Sequence, residues 1–331
     1  MSKIIVDTAN LTRDEWLEYR RKGIGGSDAA IVCGLSPWNT RRGLYYEKIG
    51  QKPLNPNEDN AIAKEVGQRL EPYVAELFQK ATGYTVYKDT NMYRHVSYPF
   101  MIVNLDYMVI LPDGKKAILE CKTGSIHNLD KWKDGNIPEN YVTQCRHEMA
   151  VMDIDVIFIA RLLGNNDFAY IRIDRDKALE AELLIAEAKF WESVENLTPP
   201  SLEDENPDRA LETLARYIKA NNLGPAVALK PVYSHTLSQI KWMKEQKAWH
   251  EKEAKKLDAE IKALYVPIVD DLGSSVKGEC VDSCGKKYIV SYKPTGKTNV
   301  DSKKLKLEKP DVYNEYKKVS ANRGFSIEIG A

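Results

Sequence analysis

The chain has 331 residues, with 48 Lys+Arg, 48 Asp+Glu and 43% apolar residues. That length suits about two soluble domains of ~100–200 residues each. No apolar run reaches the ~18 residues a membrane span needs, and MSKIIVDTANLTRDEW has neither the apolar segment nor the small-residue site of a signal peptide. The five cysteines are scattered, which argues against a disulfide framework and suits a reducing cytoplasm. Cys280 and Cys284 form a near pair, but no second pair completes a zinc site. Residues 1–200 carry 25 Lys+Arg against 29 Asp+Glu, whereas residues 201–331 carry 23 against 19. The C-terminal part is therefore the more basic.

Thr12 to Lys22 reads as a helix, with Thr12 as N-cap and Glu15 completing a capping box. GIGGSDAA leads into a second helix from about Ser27. Residues 58–82 read as one long helix, with Val66, Leu70, Val74, Leu77 and Phe78 at helical spacing and Gly83 as its C-terminal glycine. Strands are expected at 85–95, 101–110 and 116–122, a helix at 139–152, and a strand at 154–163. Gly164-Asn165-Asn166-Asp167 turns into a strand at 168–173, and a helix at 176–197 closes this part. The order implies an α/β sandwich around a mixed sheet. TPPSLEDENPD (198–208) reads as a linker. A short helix (208–222), a long charged helix (234–264) and a basic β-rich tail follow. The expected division is therefore 1–200, a linker with a short helix over 201–233, and a C-terminal module over 234–331. No internal repeats are visible.

MIVNLDYMVILPDGKKAILECKTG (101–124) reads as a hairpin turning at Pro112-Asp113-Gly114, yet acids interrupt both apolar strands. Alternation puts Glu120 and Lys122 on one face, and the turn brings Asp106 opposite the region of Glu120. Two converging carboxylates raise one another's pKa unless a cation lies between them. A hard cation such as Mg²⁺ suits oxygen ligands. Asp, then Glu-X-Lys on the next strand, is the core pattern of a PD-(D/E)XK nuclease site. A surface hairpin with an ion pair would show the same letters, but Ile118 and Leu119 place both faces of this strand among apolar neighbours.

Three further stretches bear on the choice. GQRLEPYVAELF (67–78) places Glu71 on a helix upstream. YVTQCRHEMAV (141–151) places Tyr141 and Gln144 on a helix downstream. WLEYRRKGIGGSDAA (16–30) supplies Arg20, a glycine turn and Ser27. In this order, over roughly residues 14–196, these motifs resemble the YqaJ-like viral recombinase and phage lambda exonuclease family of the PD-(D/E)XK nuclease superfamily.

The resemblance implies a restriction-endonuclease-like α/β core and a Mg²⁺-dependent 5′→3′ exonuclease, with Mn²⁺ as substitute cation. Such an enzyme digests one strand of duplex DNA from an end and leaves 3′ single-stranded overhangs for recombination by strand annealing. Asp106, Glu120 and the backbone carbonyl of Cys121 would hold metal. Lys122 would orient the water or neutralise the phosphate, Glu71 would support a metal or its water, and Gln144 would touch the same shell. Tyr141 would contact DNA. Arg20 and Ser27 would bind a terminal 5′-phosphate. The family implies a homo-oligomeric ring, trimer or tetramer, encoded by a phage or prophage and acting in the host cytoplasm beside a single-strand annealing (RecT-like) recombinase. A ring also accommodates zero net charge, since only its channel must be basic. The hairpin between Asp106 and Glu120 is longer than in lambda exonuclease, and the region after 200 has no counterpart there.

Two other readings stay open: a structure-specific endonuclease on the same fold, and a non-catalytic DNA-binding adaptor, against which the intact Asp106/Glu120/Lys122 set argues. His95, His127 and His147 share no motif and read as structural or exposed. An iron–sulfur nuclease would need four placed cysteines, and this part holds only Cys33, Cys121 and Cys145. In SQIKWMKEQKAWHEKEAKKLDAEIKALY (238–265), Ile240, Met243, Leu257, Ile261 and Leu264 recur at near-helical spacing. The tail 285–309 has eight lysines against two acids, with Tyr288 and Tyr292 between them. This region is expected to recruit the annealing recombinase, with DNA handling as a secondary role; the plainer alternative is a helix packed on the nuclease domain.

Overall fold

The computed structural model describes residues 2–54, 61–219, 227–293 and 301–316. The first residues of the helix expected over 58–82, the last of that over 208–222, and tail residues 294–300 and 317–331 lie outside the described residues. Two compact units are present, Met1–Ala220 and Asn221–Ala331.

In the first unit, β1 (Ser2–Asp7), β3 (Asn91–His95) and β4 (Ile102–Asn104) form a three-stranded sheet. β2 (Thr85–Tyr87), β5 (Tyr107–Ile110), β6 (Lys116–Gly124), β7 (Val156–Leu163) and β8 (Asp167–Asp174) form a five-stranded sheet in the order β2-β5-β6-β7-β8. Within this sheet, among the described residues, β6 and β7 pair in parallel and the other neighbours antiparallel. The helices are α1 (Arg13–Arg21), α2 (Gly26–Val32), α3 (Arg41–Lys48), α4 (Ala61–Thr82), α5 (Glu139–Met152), α6 (Lys177–Glu195) and α7 (Pro207–Tyr217), with a 3₁₀ segment at Ile126–Gly135. This is the expected mixed sheet flanked by helices.

The two faces of the five-stranded sheet bury different helices. Val74 and Phe78 of α4 pack on Tyr107, Val109, Ala117, Leu119 and Phe158. Cys145 and Met149 of α5 pack with Met108, Ile118, Ile157 and Ile159. The period of two therefore turns the even-numbered residues of β5 and β6 toward α5. All eight residues of β7 are buried, as a central strand covered on both faces requires. The Thr12–Glu15 capping box forms as expected.

Three expectations need correction. Residues 101–110 are two strands in two sheets, parting at Leu105-Asp106, and 85–95 likewise split into β2 and β3. Second, α7 belongs to the first unit and not to a linker. Thr213 and Thr40 hydroxyls meet at 2.9 Å in the interior, and Gln51 Nε2 donates to the Tyr217 carbonyl at 2.9 Å. Arg41 pairs with Glu205 at 3.0 Å. The acidic stretch read as linker is thus pinned by arginine, and the unit ends near 220 rather than 200.

In the second unit, α8 (Tyr233–Leu272) runs 40 residues with none buried. Third, the tail is β-rich only as far as the hairpin β9 (Lys277–Val281) and β10 (Lys287–Ser291); the residues described beyond it are the helices α9 (Ser302–Glu308) and α10 (Pro310–Tyr316). Cys280 and Cys284 are both exposed.

Candidate active site

The register of β5 on β6 pairs Tyr107 with Leu119 and Met108 with Ile118. One step further, Asp106 faces Glu120. Asp106 stands where the chain leaves one sheet for the other, and its Oδ2 accepts from the Cys121 backbone N–H at 2.8 Å. Asp106, Glu120 and Lys122 share the face covered by α5. The Lys122 ammonium contacts Glu120 Oε1 and donates to Gln144 Oε1 at 3.0 Å. Gln144 Nε2 donates to Glu120 Oε1 at 2.6 Å. Tyr141, one helical turn before Gln144, lies under the same ammonium with its ring centre 4.9 Å away. Trp132 stacks on Tyr141 at 5.6 Å. The structure thus brings five of the expected residues together on a surface otherwise made of core.

Burial and the neighbouring Glu120, and then Glu71, hold the Asp106 carboxyl well above its ordinary range. Burial alone would lower the Lys122 ammonium, but Glu120 and Asp106 more than reverse this and raise it. The site sets a half-buried acid, Asp106, against a buried one, Glu120, with a lysine as its cation. Glu71 approaches from α4 and pairs with Lys88 at 2.5 Å, and the Lys88 ammonium sits 4.8 Å from the Tyr107 ring centre. Lys88 was not legible as a site residue.

Two carboxyls this close, one buried and one half-buried, fit a divalent cation, because a cation relieves their mutual repulsion. Among the described residues no three His, Cys, Asp or Glu side chains converge as a metal cage. Asp106 and Glu120 would hold such a cation, with the Cys121 backbone carbonyl as a further oxygen ligand.

Arg20 and Ser27 also meet. Arg20 Nη2 donates to Ser27 Oγ at 3.2 Å and to Asp28 Oδ1 at 3.0 Å. Asp28 further accepts from the Gly25 N–H at 2.9 Å and from the Lys48 ammonium at 2.7 Å. Burial would raise Asp28, but Arg20 and Lys48 overcome it and bring the carboxyl down to about 2. The cluster therefore sets two cations, Arg20 and Lys48, on Asp28, with the Glu47 carboxyl, raised by burial and by Asp28, close by. GIGG has a steric reason here: a side chain at Gly25 would overlap the Arg20 guanidinium, and a Cβ at Gly26 would lie 2.6 Å from Glu148 Oε1. Asp28 and Lys48 were both missed, since neither belongs to a motif beyond the glycine turn.

Glu148 was missed too. It follows Gln144 by one turn of α5, a spacing that could have revealed it. It is 1% exposed, and burial, then Glu120, raises its carboxyl well above the usual range. Of the histidines, His147 is wholly buried, with Nδ1 2.7 Å from Glu187 Oε1 and Nε2 2.9 Å from the Ile102 carbonyl; it ties α5 to α6 and β4.

Residues 15–155 match the model of the YqaJ-like viral recombinase domain. The Bacillus subtilis (strain 168) protein YqaJ is 35% identical over 331 residues, spanning 99% of this chain and 98% of its own. The chain belongs to the YqaJ-like viral recombinase domain family. An alkaline exonuclease from Laribacter hongkongensis is similar at 20% identity and TM-score 0.47, over 56% of this chain and 94% of that one. A phage-related exonuclease from Haemophilus somnus 129PT is similar at 15% identity and TM-score 0.39, over 55% and 97%. Family membership and the carboxylate–lysine geometry together support a DNA nuclease. Among the described residues, no helix is long and apolar enough to cross a membrane.

Proposed function

We propose that this chain is a Mg²⁺-dependent exonuclease that digests one strand of duplex DNA from its 5′ end, leaving a 3′ overhang for recombination by strand annealing. The observation that carries this reading is the placement of half-buried Asp106 and Lys122 around buried Glu120, beside Gln144 and Tyr141. Asp106 and Glu120 hold the cation, with the Cys121 carbonyl beside them; Mn²⁺ substitutes. When bound, the cation neutralises charge developing on the phosphodiester. Lys122, held by Glu120 and Gln144, presents a positive charge to the phosphate or orients the attacking water. Gln144 fixes Lys122 and Glu120 relative to each other. Glu71 closes the acidic cluster, and Tyr141 offers a ring to the DNA.

Arg20 and Ser27 receive the terminal 5′-phosphate. The Arg20 guanidinium, held by Asp28 beside the Lys48 ammonium, supports that role, since a guanidinium offers phosphate charge-assisted N–H donors. A homo-oligomeric ring, trimer or tetramer, would keep the enzyme on its strand. The second unit would recruit a single-strand annealing recombinase. The exposed Trp242, Met243, Trp249, Leu257 and Leu264 of α8 support an interaction role, because such apolar exposure on one helix usually marks a contact surface.

The reading is tested with linear duplex DNA bearing 5′-phosphate or 5′-hydroxyl, beside a covalently closed circle, all with Mg²⁺. An exonuclease degrades the linear forms, prefers the phosphate, and leaves the circle intact. A cut circle would replace it with the endonuclease reading.

A further inference from the structure

Gln144 is bonded on both sides of its amide. Its Oε1 accepts from Lys122 at 3.0 Å, while its Nε2 donates to Glu120 at 2.6 Å and to Glu148 Oε1 at 2.9 Å. A flipped amide would set its oxygen against two carboxylates and its –NH₂ against an ammonium. Glu148 thus supplies one of the two acceptors that hold the amide in its observed sense.

Glu148 is an expensive residue to keep. It is buried beside another acid, and its second oxygen, Oε2, has no hydrogen-bond partner among the described residues. Unpaired buried carboxylates destabilise a fold, and a similar-sized apolar side chain would pack this wall at lower cost. Its backbone neighbour across the interface is Gly26, which must lack a side chain to admit it. So Glu148 joins the metal cleft on α5 to the first residue of α2, beside Ser27 and the Arg20 cluster.

We propose that Glu148 is a positioning residue for phosphodiester hydrolysis, which acts by locking the Gln144 amide so that its oxygen faces Lys122. Glu148 touches neither the phosphate nor the cation in this role. Its contribution grows when Glu120 turns its oxygens to a cation, because Glu148 is then the remaining acceptor for the Gln144 –NH₂. The inference rests on the cleft reading given above.

The test uses the full chain and four variants: Glu148→Met, Glu148→Gln, Gln144→Ala and the double variant Glu148→Met/Gln144→Ala. Methionine keeps the volume but removes the carboxylate; glutamine keeps an accepting oxygen. Losing one charged hydrogen bond to a placed group should cost roughly 10-fold or more in kcat. Glu148→Met should therefore fall about 10-fold with KM for DNA unchanged, and Glu148→Gln should stay within about 3-fold of wild type. The double variant should be no slower than Gln144→Ala alone, since Glu148 acts through that amide. Mn²⁺ binding measured by calorimetry without DNA should change little in Glu148→Met, and its melting temperature should not drop. Additive losses in the double variant, wild-type activity in Glu148→Met, or failure of Glu148→Gln to rescue would each overturn the proposal. So would a 10-fold loss of Mn²⁺ affinity, which would make Glu148 a ligand. A Glu120→Ala control separates the two levels: if that variant stays active, the cleft assignment itself is wrong.

Discussion

The backbone N–H of Cys121 donates to the Asp106 carboxylate at 2.8 Å. This bond lies where β4 and β5 part, and it anchors one acid of the cleft to β6, the strand that carries Glu120 and Lys122. Asp106→Asn keeps the acceptor but removes the charge that burial and Glu120 oppose. Hydrolysis should fall at least ~100-fold while the melting temperature of the metal-free protein holds or rises, because a buried repulsion is relieved. Calorimetric melting beside a nuclease assay checks both halves; a destabilised but active variant would contradict the assignment.

Lys122 lies between an acid and an amide oxygen, so its loss should act on rate. Lys122→Met should lower kcat roughly 100-fold and change DNA affinity by less than about 3-fold, since one phosphate contact contributes little to total binding. Single-turnover kinetics beside a binding titration separate the two. A loss confined to binding would assign Lys122 to DNA grip alone.

Arg20 is predicted to read the DNA end without doing chemistry. Arg20→Ala should narrow the rate ratio of 5′-phosphorylated over 5′-hydroxyl duplex by about 10-fold. An unchanged ratio would move the phosphate seat elsewhere. Lys48 remains paired with Asp28 in this variant, so folding should be little affected.

The buried His147–Glu187 pair sets a pH dependence of stability. Burial alone would lower the His147 pKa, but Glu187, through its charge and hydrogen bond, and the Ile102 carbonyl raise it. A histidine raised on folding stabilises fully below its unfolded value of about 6.5, and the contribution fades as pH rises through the folded value. His147→Leu should remove that slope and cost about 3–5 kcal/mol near neutral pH, because Glu187 is left buried and unpaired. Denaturant unfolding across pH 5–9 (about the range where histidine titrates) measures it, and an identical slope in the variant would refute the pairing.

Much of this arrangement was legible from residue order. Helix α5 occurs at the expected 139–152, because Pro138 ends the preceding segment and Asp153 takes a left-handed conformation at φ 57°. Asp106, Glu120 and Lys122 stood out because charge interrupted apolar strands. The break at Leu105-Asp106 was not visible: IVNLDYMVI is continuously strand-like, and only pairing with two different sheets divides it. Lys48 and Lys88 were invisible for a similar reason, as each gains meaning from a partner distant in sequence, Asp28 and Glu71; Glu148, one turn after Gln144, was open to helical spacing. The acidic stretch 198–208 looked like linker because its arginine partners, such as Arg41, lie far upstream.

The position of α7 has a practical consequence. A chain ending near residue 220 should stay soluble and keep end-dependent hydrolysis while losing co-purification with the annealing recombinase. A chain ending near 200 should be less stable, because it uncovers the surface that Ala210, Thr213 and Tyr217 bury. Equal recombinase binding by the 220-residue form would refute the recruiting role of the second unit.

The central claim is cation-dependent hydrolysis at the Asp106, Glu120 and Lys122 cleft. Its most direct measurement is nucleotide release from linear 5′-phosphorylated duplex by wild type and by Glu120→Ala, each with Mg²⁺ and with a chelator. Release by wild type only with Mg²⁺, and none by Glu120→Ala, is the expected result. Mg²⁺-dependent release by Glu120→Ala at near wild-type rate would contradict it.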